Sequence, residues 1–270
     1  MAEINSKTGY RYNELTPPVG LKHVVDKIWI LETASVTGND KHFHLTTDFT
    51  STLIFIFPRN LKNTAIYLSG PNTQNVPFVI SPHLIVIGYR FVTSAGHRLF
   101  GIDCELTINK GVNLAELIPG PLFNKVRLEA KNSKSIKNRI SIINEFLRAQ
   151  YEVKCSPAED EISEMIGKMI SSKGNIKLDD IYPGLDISPR QFQRKFHKRT
   201  GLSPKEFCRI VRFHNVTRKL MKDGFRHFDV LVESGYYDQS HYYREFKEFT
   251  GMLPGKYVTR QKKINLEKLI

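Results

Sequence analysis

The sequence predicts an α+β protein, in which a β-rich N-terminal domain (a partial barrel or small sheet with short helices) precedes an all-α domain with two helix-turn-helix units. Three observations lead to this prediction. Short β-prone runs between turn signals fill the first 125 residues. Helical periodicity dominates after them, and the segment 187–257 repeats itself after a shift of 50 residues. We place the domains at 1–125 and 156–270, with a helical linker at 126–155.

Four runs in the first domain are predicted as strands, at 24–32, 53–57, 65–68 and 84–91. Their apolar and β-branched composition favours a sheet, and the Gly70-Pro71 pair after the third run is a turn signal. Short helices are predicted at 95–100 and 114–118. These elements give a compact strand-rich domain.

Helical patterns begin in the linker. Ile136, Ile140, Ile143 and Leu147 follow the helical period, and we expect this helix to dock on the sheet of the same chain. A second helix begins near Ser156-Pro157, where a capping residue precedes a proline. Its apolar stripe is predicted to lie in a core, and consists of Ile162, Met165, Ile166 and Met169.

The repeat at 187–257 keeps the residues that begin, bury and end a helix. In the first copy Ser188 and Gln191 form a capping box around Pro189. Phe192 and Phe196 lie four residues apart and share one buried face, and Gly201 can end the helix in the left-handed conformation. The second copy has a counterpart at each position, and these are Asp238, Tyr242, Phe246 and Gly251.

The outer faces of the two copies carry polar and basic side chains. They are Arg190, Gln193 and Arg194 in the first copy, and Ser240, His241 and Arg244 in the second. Arginine recognises guanine and glutamine recognises adenine in the DNA major groove. A solvated basic face is the simpler interpretation of one such helix. Two copies with the same cap and the same glycine favour base reading by these six residues.

These motifs carry a family resemblance. Residues 156–258 resemble the DNA-binding domain of AraC-type transcription regulators through Arg194-x-Phe196, Thr200-Gly201-x-Ser203-Pro204, Arg209-x-x-Arg212-Phe213, Gly235-Tyr236-x-Asp238-Gln239-Ser240 and Arg244-x-Phe246-Lys247. The resemblance implies that the helix beginning at Ser203 is a rigid connector between the two units. Tyr182 and Val232 depart from the small residue usual in the first helix of each unit, and Tyr182-Pro183-Gly184 is expected to shorten the first of these helices.

Contacts with the DNA backbone are expected from a second group of basic residues. They are Lys195, Lys198, Arg199 and Lys247. Phosphate contacts position a protein on DNA without reading its sequence. The charge distribution supports this assignment. Residues 1–170 contain 19 Lys and Arg and 16 Asp and Glu, a net charge of +3, whereas residues 171–270 contain 21 and 11, a net charge of +10. Most of the total net charge of +13 therefore lies in the C-terminal part.

The first domain resembles, less specifically, an N-terminal domain found on uncharacterised AraC-type regulators, through Trp29, Leu53-Ile54-Phe55, Gly70-Pro71 and Gly88-x-Arg90-Phe91. That resemblance implies no ligand. From the residue types we expect a partly apolar effector pocket lined by Trp29, Tyr67, Tyr89 and Arg90. Arg90 has an alternative role, as the partner of Asp48 or Asp103.

No signal peptide or long apolar span is visible, and three separated cysteines give neither a disulfide framework nor a zinc spacing. We therefore expect a cytoplasmic transcription regulator without a cofactor and without enzymatic activity. Its expected partners are double-stranded DNA and an unknown small-molecule effector, with RNA polymerase and a second copy of the chain as further candidates.

Two alternatives compete with this interpretation. His42 and His44 alternate along a β-prone run, so both imidazoles would reach one metal ion in a cupin-like enzyme domain fused to a DNA-binding module. A polar strand face explains the same pair without a metal. The third possibility is a non-specific architectural DNA-binding protein, against which the two signature helices argue.

Overall fold

The computed structural model describes residues 9–34, 42–45, 47–59, 64–79, 81–118, 120–154, 161–222, 231 and 234–257. It consists of an N-terminal antiparallel sheet with helices on one face and a helical C-terminal region. The predicted α+β class and the order of its parts are confirmed. Most predicted elements are also found, while four strands and one helix were not predicted.

Six strands form the main sheet in the order β1-β2-β7-β4-β5-β8, and every neighbouring pair is antiparallel. They are β1 (Tyr10–Leu15), β2 (Val25–Thr33), β4 (Thr52–Pro58), β5 (Ala65–Ser69), β7 (Leu84–Phe91) and β8 (Gly111–Asn113). A separate two-stranded sheet pairs β3 (His42–Leu45) with β6 (Val76–Val79). The central strands β2, β4, β5 and β7 are the four predicted ones, because their apolar runs are the longest in this half of the chain.

One face of the sheet is covered by helices and forms the main N-terminal core. The helices are α1 (Ala95–Phe100), α2 (Leu114–Leu117), α3 (Pro121–Asn132) and α4 (Ile136–Lys154). Phe55 and Tyr89 of the sheet pack with Phe123 of α3 and Leu147 of α4 in one buried cluster. The helices at 126–155, predicted as a linker, are thus α3 and α4, and they dock on the sheet of their own chain as expected.

The opposite face holds a smaller apolar cluster around Trp29. Trp29 lies across Gly88 of the neighbouring strand, where a Cβ atom would be only 2.0 Å from the indole ring. Tyr12 stacks on the same indole at 6.4 Å between ring centroids. A glycine is therefore required at 88 so that the large ring can lie flat against the sheet.

The C-terminal region is built from α5 (Glu161–Ser171), α6 (Pro189–Thr200), α7 (Pro204–Lys222) and α8 (Gln239–Thr250). Their apolar faces share one core. All four residues of the predicted α5 stripe are at most 4% exposed, which confirms its core role. The start of this helix near Ser156 lies outside the described residues. Two 3-10 helices, Leu178–Asp180 and Tyr182–Gly184, connect α5 to α6.

Candidate nucleic-acid interface

Helix α6 begins and ends where its sequence signals stand. The Ser188 side chain accepts a hydrogen bond from the Gln191 backbone, and the Gln191 side chain accepts one from the Ser188 backbone, so the capping box is complete. Phe192 and Phe196 are fully buried. Gly201 ends the helix with a φ of 73°, a left-handed conformation that favours glycine. These three features fix which side of α6 faces outward.

Helix α8 repeats this design. The Asp238 side chain accepts a hydrogen bond of 2.7 Å from the His241 backbone, Tyr242 and Phe246 are fully buried, and Gly251 has a φ of 74°. The predicted repeat is therefore a structural repeat. Residues 223–230 and 232–233 of the second unit, Val232 among them, lie outside the described part of the chain.

Both α6 and α8 end at a threonine whose hydroxyl contacts backbone carbonyl groups, a role that was not predicted. The Thr200 hydroxyl donates to the Phe196 carbonyl at 2.8 Å and lies 3.1 Å from the Leu202 carbonyl. Thr250 makes the same pair of contacts, at 2.7 and 3.0 Å. Both threonines are at most 2% exposed. The repeated Thr-Gly pair is thus a helix stop, in which the threonine binds carbonyl groups and the glycine supplies the left-handed turn.

The first unit has a shortened entry, as expected from Tyr182-Pro183-Gly184. The two 3-10 helices stand where a helix-turn-helix unit has its first α-helix. Tyr182 packs edge-on against Phe192, with 6.2 Å between ring centroids, and its hydroxyl accepts a hydrogen bond of 3.0 Å from Gln193. Tyr182 therefore packs on the first half of α6 through both its ring and its hydroxyl.

Five of the six predicted base-reading residues are exposed on the outer faces of α6 and α8. They are Arg190, Gln193, Arg194, Ser240 and Arg244. The sixth, His241, is half-buried and contacts the Tyr236 ring at 5.3 Å between centroids. Arg194 and Arg244 make no hydrogen bond or ion pair with any described residue. Each outer face therefore presents one exposed arginine at the equivalent position of the repeat, with no partner among the described residues.

The four predicted phosphate contacts differ in their surroundings. Lys195 and Lys247 are exposed on the helix surfaces. Lys198 instead forms an ion pair of 3.3 Å with Asp103 of the N-terminal domain. The carbonyl of Arg199 accepts a hydrogen bond of 2.9 Å from the Cys104 thiol, and this arginine is half-buried. The domain contact thus engages two residues that the sequence assigned to DNA.

Helix α7 connects the two units. It begins with a second complete capping box between Ser203 and Glu206, and the Ser203 hydrogen bonds lower the pKa of Glu206. Arg209 reaches from α7 to two carboxylates of α8, at 2.8 Å to Glu245 and 3.1 Å to Glu248. Glu245 is 5% exposed and also accepts a hydrogen bond from the Tyr236 hydroxyl. Glu245 was not predicted as a contact residue, because the equivalent position in the first copy of the repeat is Lys195.

The N-terminal domain contacts the end of α6 through the 3-10 helix Cys104–Thr107. Besides the two contacts already described, His197 lies 3.2 Å from Glu105. Burial raises the pKa of the Cys104 thiol to about 12, so the thiol stays protonated and acts as a hydrogen-bond donor. Gly201 presses on the same segment, since a Cβ there would lie 3.1 Å from the Cys104 carbonyl oxygen.

The same domain also contacts the end of α8. The Thr47 hydroxyl donates a hydrogen bond of 2.9 Å to the Phe249 carbonyl, and the Thr47 carbonyl accepts one from the His214 ring on α7. Phe49 packs edge-on against Phe207 and His214. Burial lowers the pKa of His214, which keeps its ring neutral. Both outward-facing helices therefore end on the N-terminal domain.

The predicted effector pocket is only partly assembled. Trp29, Tyr67 and Arg90 lie on the same face of the sheet, because Trp29 pairs with Gly88, Gly88 with Ile54 and Ile54 with Tyr67. Tyr89 points to the opposite face, as successive residues of a strand alternate. Its hydroxyl lies 3.2 Å from the Ile140 carbonyl and 3.1 Å from the Asn144 side chain. The placement of Tyr89 in this pocket was wrong, and it is a core residue.

Arg90 is paired with carboxylates, as one alternative predicted. Asp48 lies 3.7 Å from it, while the second partner is Asp26 at 3.5 Å and not Asp103, which binds Lys198. The Arg90 Nε atom is buried and has no hydrogen-bond partner among the described residues. Both distances exceed that of an ordinary hydrogen bond, so Arg90 is held between the two carboxylates by charge.

His42 and His44 lie two residues apart on β3, as the metal hypothesis required, but their side chains are outside the described part. Among the residues that could be searched, no group of three or more His, Cys, Asp or Glu side chains is arranged to hold a metal ion. No described helix is long and apolar enough to span a membrane.

Comparisons with known proteins match the two halves separately. Residues 184–260 match a family model described as a helix-turn-helix domain, and residues 13–113 match a domain of unknown function (DUF6597). No curated protein sequence matches the chain significantly.

Several solved structures align with most of this chain at low sequence identity and low TM-score. ToxT from Vibrio cholerae O395 is 12% identical with a TM-score of 0.42, and the match covers 93% of this chain and 97% of that one. The same protein bound to (E)-4-(8-methylnaphthalen-1-yl)but-3-enoic acid is 13% identical with a TM-score of 0.44, and the match covers 93% of this chain and 99% of that one. ToxT from Vibrio cholerae strain SCE256 with a bound unsaturated fatty acid is 12% identical with a TM-score of 0.40, and the match covers 96% of this chain and 97% of that one.

The family match covers the two capped and glycine-terminated helices, and it confirms the resemblance drawn from their motifs. The chain is a DNA-binding transcription regulator with an AraC-type helix-turn-helix domain at 184–260, joined to a domain of unknown function at 13–113.

Proposed function

We propose that this regulator binds a bipartite DNA site, with α6 and α8 reading successive segments of the major groove. The observation that carries the proposal is the structural equivalence of the two helices. Each has a capped start, two buried aromatic residues and a Thr-Gly stop, and each presents one exposed arginine at the matched position, Arg194 or Arg244. Half-sites read in this way are spaced by about one helical turn of DNA, roughly 10 base pairs.

The exposed residues divide into two roles. Arg190, Gln193, Arg194, Ser240, His241 and Arg244 lie in the first half of each helix, and we assign them to base edges, since recognition helices contact bases with their N-terminal residues. Lys195 and Lys247 flank them and are assigned to phosphates. Lys198 and Arg199 are assigned to phosphates only when their contacts with the N-terminal domain open.

The N-terminal domain is proposed to modulate DNA binding through a small-molecule effector. Trp29, Tyr67 and Arg90 share the sheet face that helices do not cover, and Arg90 retains a hydrogen-bond donor without a partner in the described residues. The contacts of Thr47 and Cys104 with the ends of the two helices supply the route of coupling. A coupling free energy of about 1–3 kcal/mol is typical of such regulation.

Selection of duplexes from a random library by the full-length chain tests the DNA proposal. A bipartite consensus is expected, and enrichment without any consensus would favour a non-specific architectural protein. On the selected site, Arg194→Ala and Arg244→Ala should each cost about 1–3 kcal/mol and relax one half-site. Lys195→Ala is the matched control on the same helix, and it should weaken selected and random DNA alike. Equal losses for all three variants on both DNAs would demote the arginines to phosphate contacts.

The effector proposal is tested separately, by screening metabolites for a change in the fluorescence of Trp29, the only tryptophan of the chain. A cognate ligand should shift this emission and alter affinity for the selected site by roughly 5–150-fold. Arg90→Ala should abolish the response if the ligand is anionic. A broad screen without any ligand, together with dimer formation through the N-terminal domain, would instead assign that domain to assembly.

A further inference from the structure

Arg212 of α7 bridges the two helix-turn-helix units by itself. One guanidinium nitrogen, Nη2, donates a hydrogen bond of 3.2 Å to the Gly174 carbonyl, which follows α5 in the first unit. The other, Nη1, donates one of 3.1 Å to the Gly235 carbonyl, which precedes α8 in the second. A single rigid fork thus holds two loops that are 61 residues apart in the chain.

The two loops are shaped for this contact. Gly174 and Gly235 have φ angles of 72° and 82°, so each adopts a left-handed conformation that turns its carbonyl inward. A Cβ at Gly174 would lie 2.2 Å from the carbonyl oxygen of Cys208 on α7. The Gly174 backbone therefore lies directly against the connector helix, and a larger residue would push the loop away from Arg212.

On the Gly235 side, Arg212 is connected to α8 through Tyr236 and Glu245. Arg212 lies over the Tyr236 ring at 5.9 Å, and the Tyr236 hydroxyl donates to the buried Glu245 of α8. Arg209, one turn earlier on α7, holds the other oxygen of that carboxylate. The orientation of α8 is thus set by a connected series of contacts that starts at Arg212.

We propose that Arg212 is a positioning residue that fixes the separation and rotation of the two recognition helices, and thereby the spacing of half-sites that the protein accepts. This inference rests on the proposed bipartite DNA binding. Inserting one base pair between half-sites shifts them by about 3.4 Å and turns them by roughly 35°. A rigid pair of units rejects such sites, whereas a loosened pair follows them.

The test compares full-length wild type with Arg212→Met, Arg212→Lys and Arg218→Met. Arg218 is exposed on the same helix and makes no hydrogen bond or ion pair with a described residue, so its variant controls for the lost charge. Affinities are measured on the selected duplex and on duplexes with one base pair inserted or deleted between half-sites. Arg212→Lys keeps the charge, but its ammonium cannot span both carbonyls in the way the planar fork does.

Arg212→Met removes both hydrogen bonds and should reduce the discrimination between correct and altered spacings by about tenfold or more, since one hydrogen bond to a charged group already corresponds to roughly that factor. Arg212→Lys should lose a large part of the discrimination between spacings, and Arg218→Met should retain that discrimination. An equal loss of affinity at all three spacings, or none at any, would overturn the proposal. If the methionine variant does not fold, as judged by circular dichroism, the lysine variant carries the comparison.

A second readout does not depend on DNA. Spin labels carried by unnatural amino acids at the exposed Lys195 and Lys247 report the distance between α6 and α8. The distribution should broaden in Arg212→Lys and stay narrow in Arg218→Met, and identical distributions would refute the positioning role. If wild type selects no bipartite site, the proposed function fails, and these distances still decide whether Arg212 holds the units together.

Discussion

Replacing Glu245 with glutamine should destabilise the helix-turn-helix domain far more than the same change at Glu248, although both carboxylates bind Arg209. The Glu245 side chain is 6% exposed and that of Glu248 is 56% exposed. Glu245 accepts two hydrogen bonds, from Arg209 and from the Tyr236 hydroxyl. In Glu245→Gln the amide NH2 group must face one of these donors, so at least one bond is lost.

The magnitude follows from burial. A hydrogen bond to a charged group is worth about 1.5–3 kcal/mol, and a buried donor left unsatisfied adds to the loss. We therefore expect Glu245→Gln to cost about 2–3 kcal/mol. Since the Glu248 pair is exposed to solvent, Glu248→Gln should cost less than about 1 kcal/mol. The larger loss corresponds to a decrease in Tm of roughly 5–15 °C for this domain.

Far-UV circular dichroism follows the helices of both domains during thermal unfolding, while Trp29 fluorescence follows the N-terminal domain alone in the same sample. A helical transition that Trp29 does not report therefore belongs to the helix-turn-helix domain. Glu245→Gln should lower the helical transition and leave the Trp29 transition nearly in place. Similar shifts for the two glutamine variants would refute the reasoning, because they would show that burial of Glu245 does not strengthen its contacts. The double variant should cost little more than Glu245→Gln alone.

Three further predictions concern other contacts. Asp103→Asn should raise DNA affinity up to about fivefold at low salt, as it releases Lys198 from an exposed ion pair worth about 0–1 kcal/mol; unchanged affinity in fluorescence anisotropy would place Lys198 away from DNA. Because burial lowers the pKa of His214, the unfolded state binds more protons below about pH 6.5. The domain contact should therefore be strongest above that pH and weaken on acidification, which should lower the hydrogen-exchange protection factors near Thr47, and His214→Phe should remove the trend. Ser188→Ala should cost about 1 kcal/mol in urea unfolding, and no loss would mean that the capping box of α6 adds nothing.

The elements that sequence reasoning found are those whose signals are local. Helix α6 was predicted from its cap, its aromatic pair and its glycine, all of which lie within 14 residues. Strand β4 was predicted from a continuous apolar run. Strand β1 was missed because its charged side chains hide its pattern, and one of them, Arg11, forms an ion pair with Glu32 on the neighbouring strand. Its pairing is tertiary, so no window of sequence contains it.

The candidate site shows the same division. The exposure of Arg194 and Arg244 followed from helical periodicity, since each lies opposite a buried aromatic pair. The burial of Glu245 did not follow, because in the first copy an exposed lysine holds its position. The side of the sheet chosen by Tyr89 depends on the register with its neighbours, which the strand itself does not encode. Contacts between the two domains were equally out of reach, because their partners are brought together only by folding.

The contacts of the N-terminal domain with α6 and α8 have a mechanical consequence. Together with α7, which packs on both helices, they form a closed ring, from the Cys104 segment to α6, through α7 to α8, and back to the N-terminal domain at Thr47. In a closed ring, a displacement at one contact must be absorbed by the others, whereas a flexible tether would dissipate it. A small movement of the loop that carries Thr47 would therefore reach both helices without any change in the linker between the domains.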